Sequence, residues 1–298
     1  MIESKLALDH FMAAKVTTLP IIDEILTQQS VDLKLQSAMR YSLGDEGKFF
    51  RASLVLASGE LYGISHDRMV SVAAVAEMVH AYSLVHDDLP AMDNADQRRG
   101  KPSCWKKYDE ATAILTGDAL LTLAFEVLTN PAYIPDAKIS VQLVRSLSQA
   151  IGPNGMIAGQ MMDLFDFQGN QGPVDLSAVE QLQLLKTGRL IQFCCQAGAI
   201  FGGAIDAEHK DLSEYGKYLG LIFQMTDDLL DLIGKSEDIG KPTNQTPAQL
   251  NFVNLLGEFN TRKLLHELQL KASASLHHFG KKAFALQAIV DWTVQRKF

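Results

Sequence analysis

Apolar residues recur along the chain at intervals of three and four, the spacing that places side chains on one face of an α-helix. Alternation of period two bounded by hairpin turns is absent, so the pattern predicts no β-strands. The predicted helices span residues 21–43, 46–62, 67–89, 108–129, 137–151, 154–167, 177–201, 210–233, 249–271 and 280–297. We therefore expect an all-α fold, a bundle of about ten or more mostly antiparallel helices.

Helix-starting residues support two of these boundaries. "SAVE", from Ser177 to Glu180, and "TPAQ", from Thr246 to Gln249, both match the capping-box pattern. In the second, proline follows the predicted cap directly, at the first helical position. A helix is therefore predicted to begin at each motif.

Two of the predicted helices carry one polar stripe on an otherwise apolar surface: "RMVSVAAVAEMVHAYSLVHDD" and "YGKYLGLIFQMTDDLLDLIG". A helix that is apolar on every side is surrounded by protein. A polar stripe on such a helix is expected to face a cavity, because burying an unpaired carboxylate is costly. We expect both stripes to line one deep central cavity. The polar residues are His80, Ser83 and Asp87 in the first helix, and Lys217, Gln224, Asp227 and Asp231 in the second.

Length and composition limit what the bundle can be. The 298 residues are 47% hydrophobic and contain no linker-like tract, which favours a single domain, 1–298, over two small ones. The net charge of −8 argues against nucleic acid as a partner.

Features of the termini and cysteines predict a cytoplasmic protein with no stable membrane anchor. The first residues lack the pattern of a secretory signal. The longest uncharged stretch, "LIQFCCQAGAIFGGAI", falls short of the roughly 20 apolar residues of a membrane span. Cys104 and the adjacent Cys194 and Cys195 form neither a metal-binding motif nor a disulfide framework, as expected in a reducing compartment.

Acidic residues cluster at the carboxyl end of both striped helices. Asp87 and Asp88 are followed by Asp93, and the pair at 227–228 is followed by Asp231. The macrodipole disfavours acids at this end, so helix capping does not explain them. Clusters of carboxylates match Mg²⁺, which binds one or two carboxylates together with water and substrate phosphates. Pro90 would let the chain turn back toward Asp87; the alternative is a solvated acidic helix end.

Basic residues accompany the acids and suggest the ligand. Arg98 and Arg99 follow the first cluster, and "GKFFR" supplies Lys48 and Arg51. Guanidinium and ammonium groups are common partners of phosphate oxygens. Acids for Mg²⁺ and bases for phosphate together predict a diphosphate substrate.

An ordered set of motifs resembles the trans-isoprenyl diphosphate synthase family, most closely its bacterial-type farnesyl diphosphate synthases. "HAYSLVHDDLPAMDNADQRRGKPSC" and "FQMTDDLLD" resemble the two aspartate-rich regions. "GKFFR", "AGQMMDL" and "LLKTG" resemble three further family elements, in the family's order across residues 47–257. The resemblance implies an isoprenoid synthase fold, a homodimer, and condensation of isopentenyl diphosphate with dimethylallyl or geranyl diphosphate. The reaction would pass through an Mg²⁺-assisted allylic carbocation, with farnesyl diphosphate as main product.

The resemblance also assigns roles to residues. Three Mg²⁺ ions are implied with substrate bound, two at Asp87 and Asp93 and one at Asp227, with Asp88 and Asp231 in support. Lys186 and Thr187 would act at the reacting centre with Gln224. The remaining implied substrate-binding residues are Arg98 and Lys241, which with Lys186 would hold the allylic diphosphate, and Lys48, Arg51, His80 and Arg99, which would hold isopentenyl diphosphate.

Product length is predicted to depend on Tyr82 and Ser83. Tyr82 precedes Asp87 by five residues, about 7.5 Å along a helix, and its ring would form the floor of the cavity. Ser83 is small and leaves depth for more than ten carbons. The prediction is a stop at fifteen carbons; ordinary core packing of Tyr82 is the alternative.

Some positions depart from the family pattern. Glu46 stands before "GKFFR" where the family usually has a second Gly, and Phe49 follows Lys48 where it usually has a basic residue. Arg189 replaces a small residue after "LLKTG". The segment 242–249 is short, and Gln249 stands where a second lysine is expected, so one phosphate contact is predicted to be lost. The alternatives are a geranylgeranyl diphosphate synthase, a non-catalytic partner subunit and a terpene cyclase.

Overall fold

The computed structural model describes residues 2–29, 32–44, 46–166, 175–233 and 251–296, and most of them are helical. The all-α prediction is confirmed. Within these ranges the helices are α1 (Ile2–Gln28), α2 (Leu33–Leu43), α3 (Phe50–Glu60), α4 (His66–Asp87), α5 (Cys104–Lys107), α6 (Glu110–Thr129), α7 (Ala137–Ile151), α8 (Met156–Met161), α9 (Leu176–Gln183), α10 (Arg189–Gly202), α11 (Asp206–Ile233), α12 (Phe252–Ser275) and α13 (Phe284–Gln295). A 3₁₀ segment, His277–Ala283, joins α12 to α13.

Helix α4 lies inside the bundle, which explains why it is apolar on every side. It packs against α1, α3 and α6, while α10 packs against α3, α7 and α11. Helix α11 also contacts α12, and α1 contacts α13. Side chains from these helices form one hydrophobic core. That core supports a single domain over 1–298, which stays a prediction.

The prediction of one continuous helix over 21–43 is wrong, because two helices share this range. Helix α1 begins at residue 2 and contains Pro20. Proline cannot bond the carbonyl four residues earlier, that of Val16, but Val16 lies on the exposed surface where water can bond it. Helix α2 starts anew after Asp32, whose carboxylate accepts a hydrogen bond from the Lys34 amide at 2.8 Å.

One predicted helix start is also wrong. Helix α9 begins at Leu176, and the carboxylate of Asp175 accepts a hydrogen bond from the Ala178 amide at 2.8 Å. Asp175 is therefore the cap, two residues before the predicted Ser177. The second capping box, from Thr246, lies outside the described residues.

A short hairpin between α4 and α5 contradicts the prediction of no strands. Strands β1 (Gln97–Arg98) and β2 (Lys101–Pro102) pair antiparallel. Arg99 and Gly100 between them have φ of 54° and 74°, as in a type I′ turn, whose twist matches that of the strands. Strands of two residues are too short for alternation to reveal them.

Two π-helical segments widen the helices near the predicted site. They are Met162–Asp166, directly after α8, and Leu184–Gly188, between α9 and α10. The second interrupts the continuous helix predicted over 177–201. A Cβ on Gly220 of α11 would lie 2.6 Å from the Cα of Gly188, so these glycines let the segment pack closely on α11. Such π segments are frequent at functional sites.

Helices α4 and α6 are long and apolar enough to cross a membrane by length and composition alone. Most of the tested stretch of α4 and half of that of α6 are buried within the protein. Core helices of soluble proteins pass the same test, so it is weak evidence for a membrane span. The exposed side of α6 includes Leu115, which is 58% exposed.

Candidate functional site

The first acid cluster lies where α4 ends and the chain turns back. The Asp93 amide donates to the carbonyl of Asp87 at 2.8 Å, and the Ala95 amide donates to the carbonyl of Asp88 at 3.1 Å. These bonds return the chain to the end of α4 after Pro90. The backbone of Asp93 therefore lies beside Asp87, while its side chain is exposed.

Asp88 and Arg98 form a buried pair behind this turn. Asp88 is 2% exposed, and Nε of Arg98 donates to its Oδ1 at 3.0 Å. Arg98 stands on β1, so the hairpin holds it against the end of α4. Of the predicted metal ligands, Asp88 is thus engaged with a guanidinium, which it can orient.

Lys186, in the π segment Leu184–Gly188, connects the first acid cluster to the other π segment. Its ammonium forms an ion pair with Asp163 of the "AGQMMDL" motif. The charge of Lys186 lowers the pKa of Asp87, but burial outweighs it and raises that pKa to about 6. A Cβ on Gly159 would lie 2.3 Å from the backbone nitrogen of Lys186, so glycine permits the close backbone approach that brings these segments together.

At the second cluster, Asp227 pairs with an arginine that the sequence analysis missed. Nη2 of Arg296 lies 2.7 Å from Oδ1 of Asp227 and 2.8 Å from the carbonyl of Phe223. The same guanidinium lies 4.1 Å from the centre of the Phe223 ring. This contact spans 69 residues of sequence, and no local pattern marks Arg296.

Asp228 connects α11 to α12. Its carboxylate accepts hydrogen bonds from the Phe252 amide at 2.8 Å and from Nε2 of Gln224 at 3.1 Å. Burial raises the pKa of Asp228 to about 7, although both bonds lower it. The amide of Gln224, a predicted catalytic residue, is thus held by Asp228. Asp231, one turn further along α11, is half-buried.

Two of the bases predicted to bind isopentenyl diphosphate, Lys48 and Arg51, lie near the second cluster. Lys48 lies 5.2 Å from the ring centre of Trp292. Burial lowers the pKa of both Lys48 and Arg51, and the charge of Asp227 raises both. Nε of Arg51 is buried without a hydrogen-bond partner among the described residues. Such an orphaned donor fits an anionic ligand.

Glu77, which the sequence analysis also missed, lies beside these bases. Its Oε1 accepts a hydrogen bond from the Ala52 amide at 2.9 Å. Glu77 precedes His80 by three residues, so it extends the polar stripe of α4 by one turn. That spacing could have revealed it.

The remaining predicted residues fall into three groups. His80, Ser83 and Thr187 are half-buried, and Oγ of Ser83 donates to the His80 carbonyl at 2.9 Å. Tyr82 is 6% exposed and its hydroxyl has no partner among the described residues. Lys241, Gln249 and the segment 242–249 lie outside the described residues.

Arg189 lies away from the acid clusters. It lines a cavity of about 530 Å³ between α7, α10 and α11, together with Arg145. One of its guanidinium nitrogens donates to Oε1 of Gln192 at 3.1 Å. The departure at Arg189 therefore alters a different surface from the predicted substrate site.

The donor set fits Mg²⁺ bound together with a diphosphate. Among the described residues, no three Asp, Glu, His or Cys side chains form a ready-made metal site. Mg²⁺ commonly takes only one or two carboxylates and completes its shell with water and phosphate oxygens. Burial is the main cause of the raised pKa of Asp87, and the charge of Asp93 adds to it; a cation bound beside Asp87 would favour the charged carboxylate.

Comparison with known proteins identifies the family of the chain. Residues 32–255 match the polyprenyl synthetase family. The farnesyl diphosphate synthase of Micrococcus luteus is 40% identical over 266 residues, covering 88% of this chain and 89% of that protein. Geranylgeranyl pyrophosphate synthase 9 of Arabidopsis thaliana, a chloroplastic protein, is 39% identical over 269 residues, covering 89% of this chain and 74% of that protein.

Solved structures show the same fold. The apo crystal structure of an FPP/GFPP synthase from Zymomonas mobilis matches with a TM-score of 0.84 and 35% identity, covering 97% of this chain and 99% of that chain. The resemblance predicted from the motifs is confirmed: the chain belongs to the polyprenyl synthetase family.

Proposed function

We propose that this protein is a prenyltransferase that condenses isopentenyl diphosphate with dimethylallyl or geranyl diphosphate. One observation carries the proposal: acids and bases from distant segments meet where α4 and α11 end. The charges of Asp87 and Asp93 favour the protonated form of Lys186, and the charge of Asp227 favours the protonated forms of Lys48 and Arg51. This arrangement can hold two diphosphates.

The metal ligands are proposed to be Asp87 and Asp93 at the first cluster and Asp227 at the second. When bound, Mg²⁺ supplies positive charge at the diphosphate that leaves the allylic substrate. Asp88 supports the site by orienting Arg98, and Asp231 lies one turn beyond Asp227. Three ions are proposed.

The chain's own residues separate and stabilise the charges of the reaction. Lys186, Arg98 and Lys241 would hold the allylic diphosphate, and their charge favours the leaving group as its bond breaks. Thr187 and Gln224 would direct oxygen atoms toward the allylic carbocation. An apolar, closed interior keeps water from trapping that cation.

The isopentenyl diphosphate is proposed to bind Lys48, Arg51, His80 and Arg99. Its double bond then attacks the cation, and the released diphosphate can accept the proton. These bases disfavour a terpene cyclase, which needs no such pocket. Both acid clusters are present, which disfavours a non-catalytic partner subunit.

Farnesyl diphosphate is the proposed main product, and geranylgeranyl diphosphate is the second candidate. The names of the relatives do not decide between them, since farnesyl and geranylgeranyl synthases are similarly identical to this chain. Tyr82, buried one to two turns before Asp87, favours the shorter product.

The protein is further proposed to act as a cytoplasmic homodimer without a stable membrane anchor and without nucleic acid. Apolar side chains exposed on neighbouring helices support the dimer: Leu115 on α6 is 58% exposed and Val141 on α7 is 66% exposed. A second copy would cover them.

The test of the activity is direct. Purified protein is incubated with labelled isopentenyl diphosphate and, separately, with dimethylallyl, geranyl and farnesyl diphosphates, with Mg²⁺ or with EDTA. Mg²⁺-dependent formation of farnesyl diphosphate from the first two primers is expected. Absence of elongation with every primer would refute the proposal.

A further inference from the structure

Glu77 caps a helix to which it does not belong. Helix α3 begins at Phe50, and its cap residue Phe49 has a positive φ of 53° and offers no side-chain hydrogen bond. The carboxylate of Glu77, from α4, accepts the Ala52 amide at 2.9 Å instead. The Arg51 amide also bonds to this carboxylate. A carboxylate at a helix N-terminus satisfies free amides and complements the macrodipole.

This cap sits directly behind the proposed isopentenyl diphosphate site. The residue whose amide it binds, Arg51, carries a guanidinium proposed to hold that substrate. His80, proposed for the same substrate, lies one turn along α4 from Glu77. Glu77 therefore connects two helices that each supply a ligand to one diphosphate.

The charge of Glu77 is matched by two guanidiniums. Burial raises the pKa of Glu77, and the charges of Arg51 and Arg99 lower it. In return, Glu77 raises the pKa of Arg51 against the effect of burial. The carboxylate nevertheless accepts hydrogen bonds from the backbone amides of Ala52 and Arg51, and Nε of Arg51 has no partner among the described residues. Glu77 thus offsets the charge of the Arg51 guanidinium, while the Nε donor of Arg51 stays available for a ligand.

We propose that Glu77 is a positioning residue for the isopentenyl diphosphate site. It fixes the N-terminus of α3 and supplies the counter-charge behind Arg51, so that the guanidinium is held in place with a donor unused. This inference rests on the proposed function and deepens it. Glu77 itself need not touch the substrate.

A plain structural cap would behave differently from a positioning residue. Glu77→Gln keeps the length of the side chain and one oxygen that can accept the Ala52 amide, but it removes the charge. If Glu77 only caps α3, Glu77→Gln should lower the Tm and change the KM values of both substrates equally. A residue that acts through Arg51 would change the binding of one substrate.

The matched control is Glu60→Gln. Glu60 is the last residue of α3, at the opposite end of the same helix, where it bonds His66 at 2.8 Å. The substitution is chemically identical and lies away from the site. It is expected to leave the KM of both substrates unchanged.

The experiment measures kcat, the KM for isopentenyl diphosphate, the KM for geranyl diphosphate and the Tm of each variant. Loss of a residue that orients a metal ligand typically reduces affinity or activity by about 10- to 100-fold, and we expect a similar scale for a residue that orients an anion-binding guanidinium. Glu77→Gln is expected to raise the KM for isopentenyl diphosphate about 10-fold and to leave the other KM unchanged. In an Arg51→Gln background it is expected to add nothing, because the residue through which it acts is gone.

Each outcome decides the inference. Unchanged KM values, equal rises for both substrates, or full additivity with Arg51→Gln would overturn it. If Glu77→Gln does not fold, Glu77→Asp, which keeps the charge on a shorter side chain, must raise the KM for isopentenyl diphosphate selectively, or the inference fails. Wild-type protein without any elongation activity would refute the proposed function as well, so the two failures are distinguishable.

Discussion

The guanidinium of Arg296 donates a hydrogen bond to Oδ1 of Asp227 at 2.7 Å and thereby ties the end of α13 to the second acid cluster. The arginine side chain is 8% exposed and the aspartate side chain 42% exposed. Arg296 therefore occupies a carboxylate oxygen that is proposed to bind metal. A metal ion bound at Asp227 would therefore compete with this guanidinium.

Removing the competitor should strengthen metal binding at this site. For Arg296→Gln, we expect Mn²⁺ to bind about two- to fivefold more tightly with saturating inorganic diphosphate, matching the modest strength of a partly exposed ion pair. Electron paramagnetic resonance of free Mn²⁺ measures this directly. Arg262→Gln, which breaks an exposed ion pair with Glu258, is the control and should change nothing. Unchanged or weaker binding would show that Arg296 does not compete.

Substitution of the proposed metal ligands should abolish most turnover while the variants still fold. Asp87→Ala and Asp227→Ala are each expected to lower kcat by about 10²–10³, the effect of losing one electrostatic stabiliser of the leaving group. The Tm of metal-free Asp87→Ala should not fall, because clustered acids repel one another. That of Asp227→Ala should fall, because the buried guanidinium of Arg296 loses its partner. Asp67→Ala, an exposed acid at the other end of α4, is the control. Near-normal turnover in either ligand variant would exclude a catalytic metal there.

Helix type and the acid stripes were predictable because both depend on residues within a few turns of one another. The stripe on α4 led to Asp87, and it could have led to Glu77, which has the same spacing. Arg296 was not predictable, because its partner lies on another helix and no periodicity joins them. The break between α1 and α2 could not be predicted from the apolar pattern, because no Gly or Pro marks it. It depends on the carboxylate of Asp32, which caps α2.

Two carboxyl groups with raised pKa values should make the metal-free protein less stable as the pH rises. Burial raises the pKa of Asp87 to about 6 and that of Asp228 to about 7. Unfolded aspartate has a pKa of about 3.9, so between about pH 4 and pH 7 the native state binds more protons than the unfolded state. The free energy of unfolding therefore falls across this window and becomes level above it.

Asp228→Asn should flatten this dependence, since Asn stays neutral and can still accept the Phe252 amide. Urea unfolding with EDTA, from about pH 5 to about pH 8, measures the slope. Asp67→Asn should retain the wild-type slope, because its side chain is exposed. An equally steep slope in Asp228→Asn would mean that other groups cause the dependence.

The exposed apolar residues of α6 and α7 should lie in the dimer interface. Replacing both Leu115 and Val141 with Glu introduces charges that a second copy could not accommodate, so a monomer is expected. Sedimentation equilibrium measures the mass. Leu270→Glu is the matched control, because Leu270 on α12 is also 58% exposed but lies elsewhere. A dimer that persists in the double variant would place the interface on another surface.

Tyr82 should limit the length of the product. Its ring packs edge-on against His86, with centroids 5.9 Å apart, next to the proposed metal ligand Asp87. A product tethered by its diphosphate at Asp87 would extend along α4 toward this ring, and overlap with a further five-carbon unit would be repulsive. Tyr82→Ala is therefore expected to shift product from farnesyl toward geranylgeranyl diphosphate, while isopentenyl consumption stays within a few-fold of wild type.

The control separates the bulk of the ring from its hydroxyl. That hydroxyl has no hydrogen-bond partner among the described residues, so Tyr82→Phe should keep both the product and the Tm. If Tyr82 serves only in core packing, Tyr82→Ala should instead lower the free energy of unfolding by about 3–5 kcal/mol without lengthening the product. Chromatography of the dephosphorylated products distinguishes these results. A variant that still stops at fifteen carbons would place the floor of the cavity elsewhere, and a wild type that makes mainly twenty carbons would refute the proposed product.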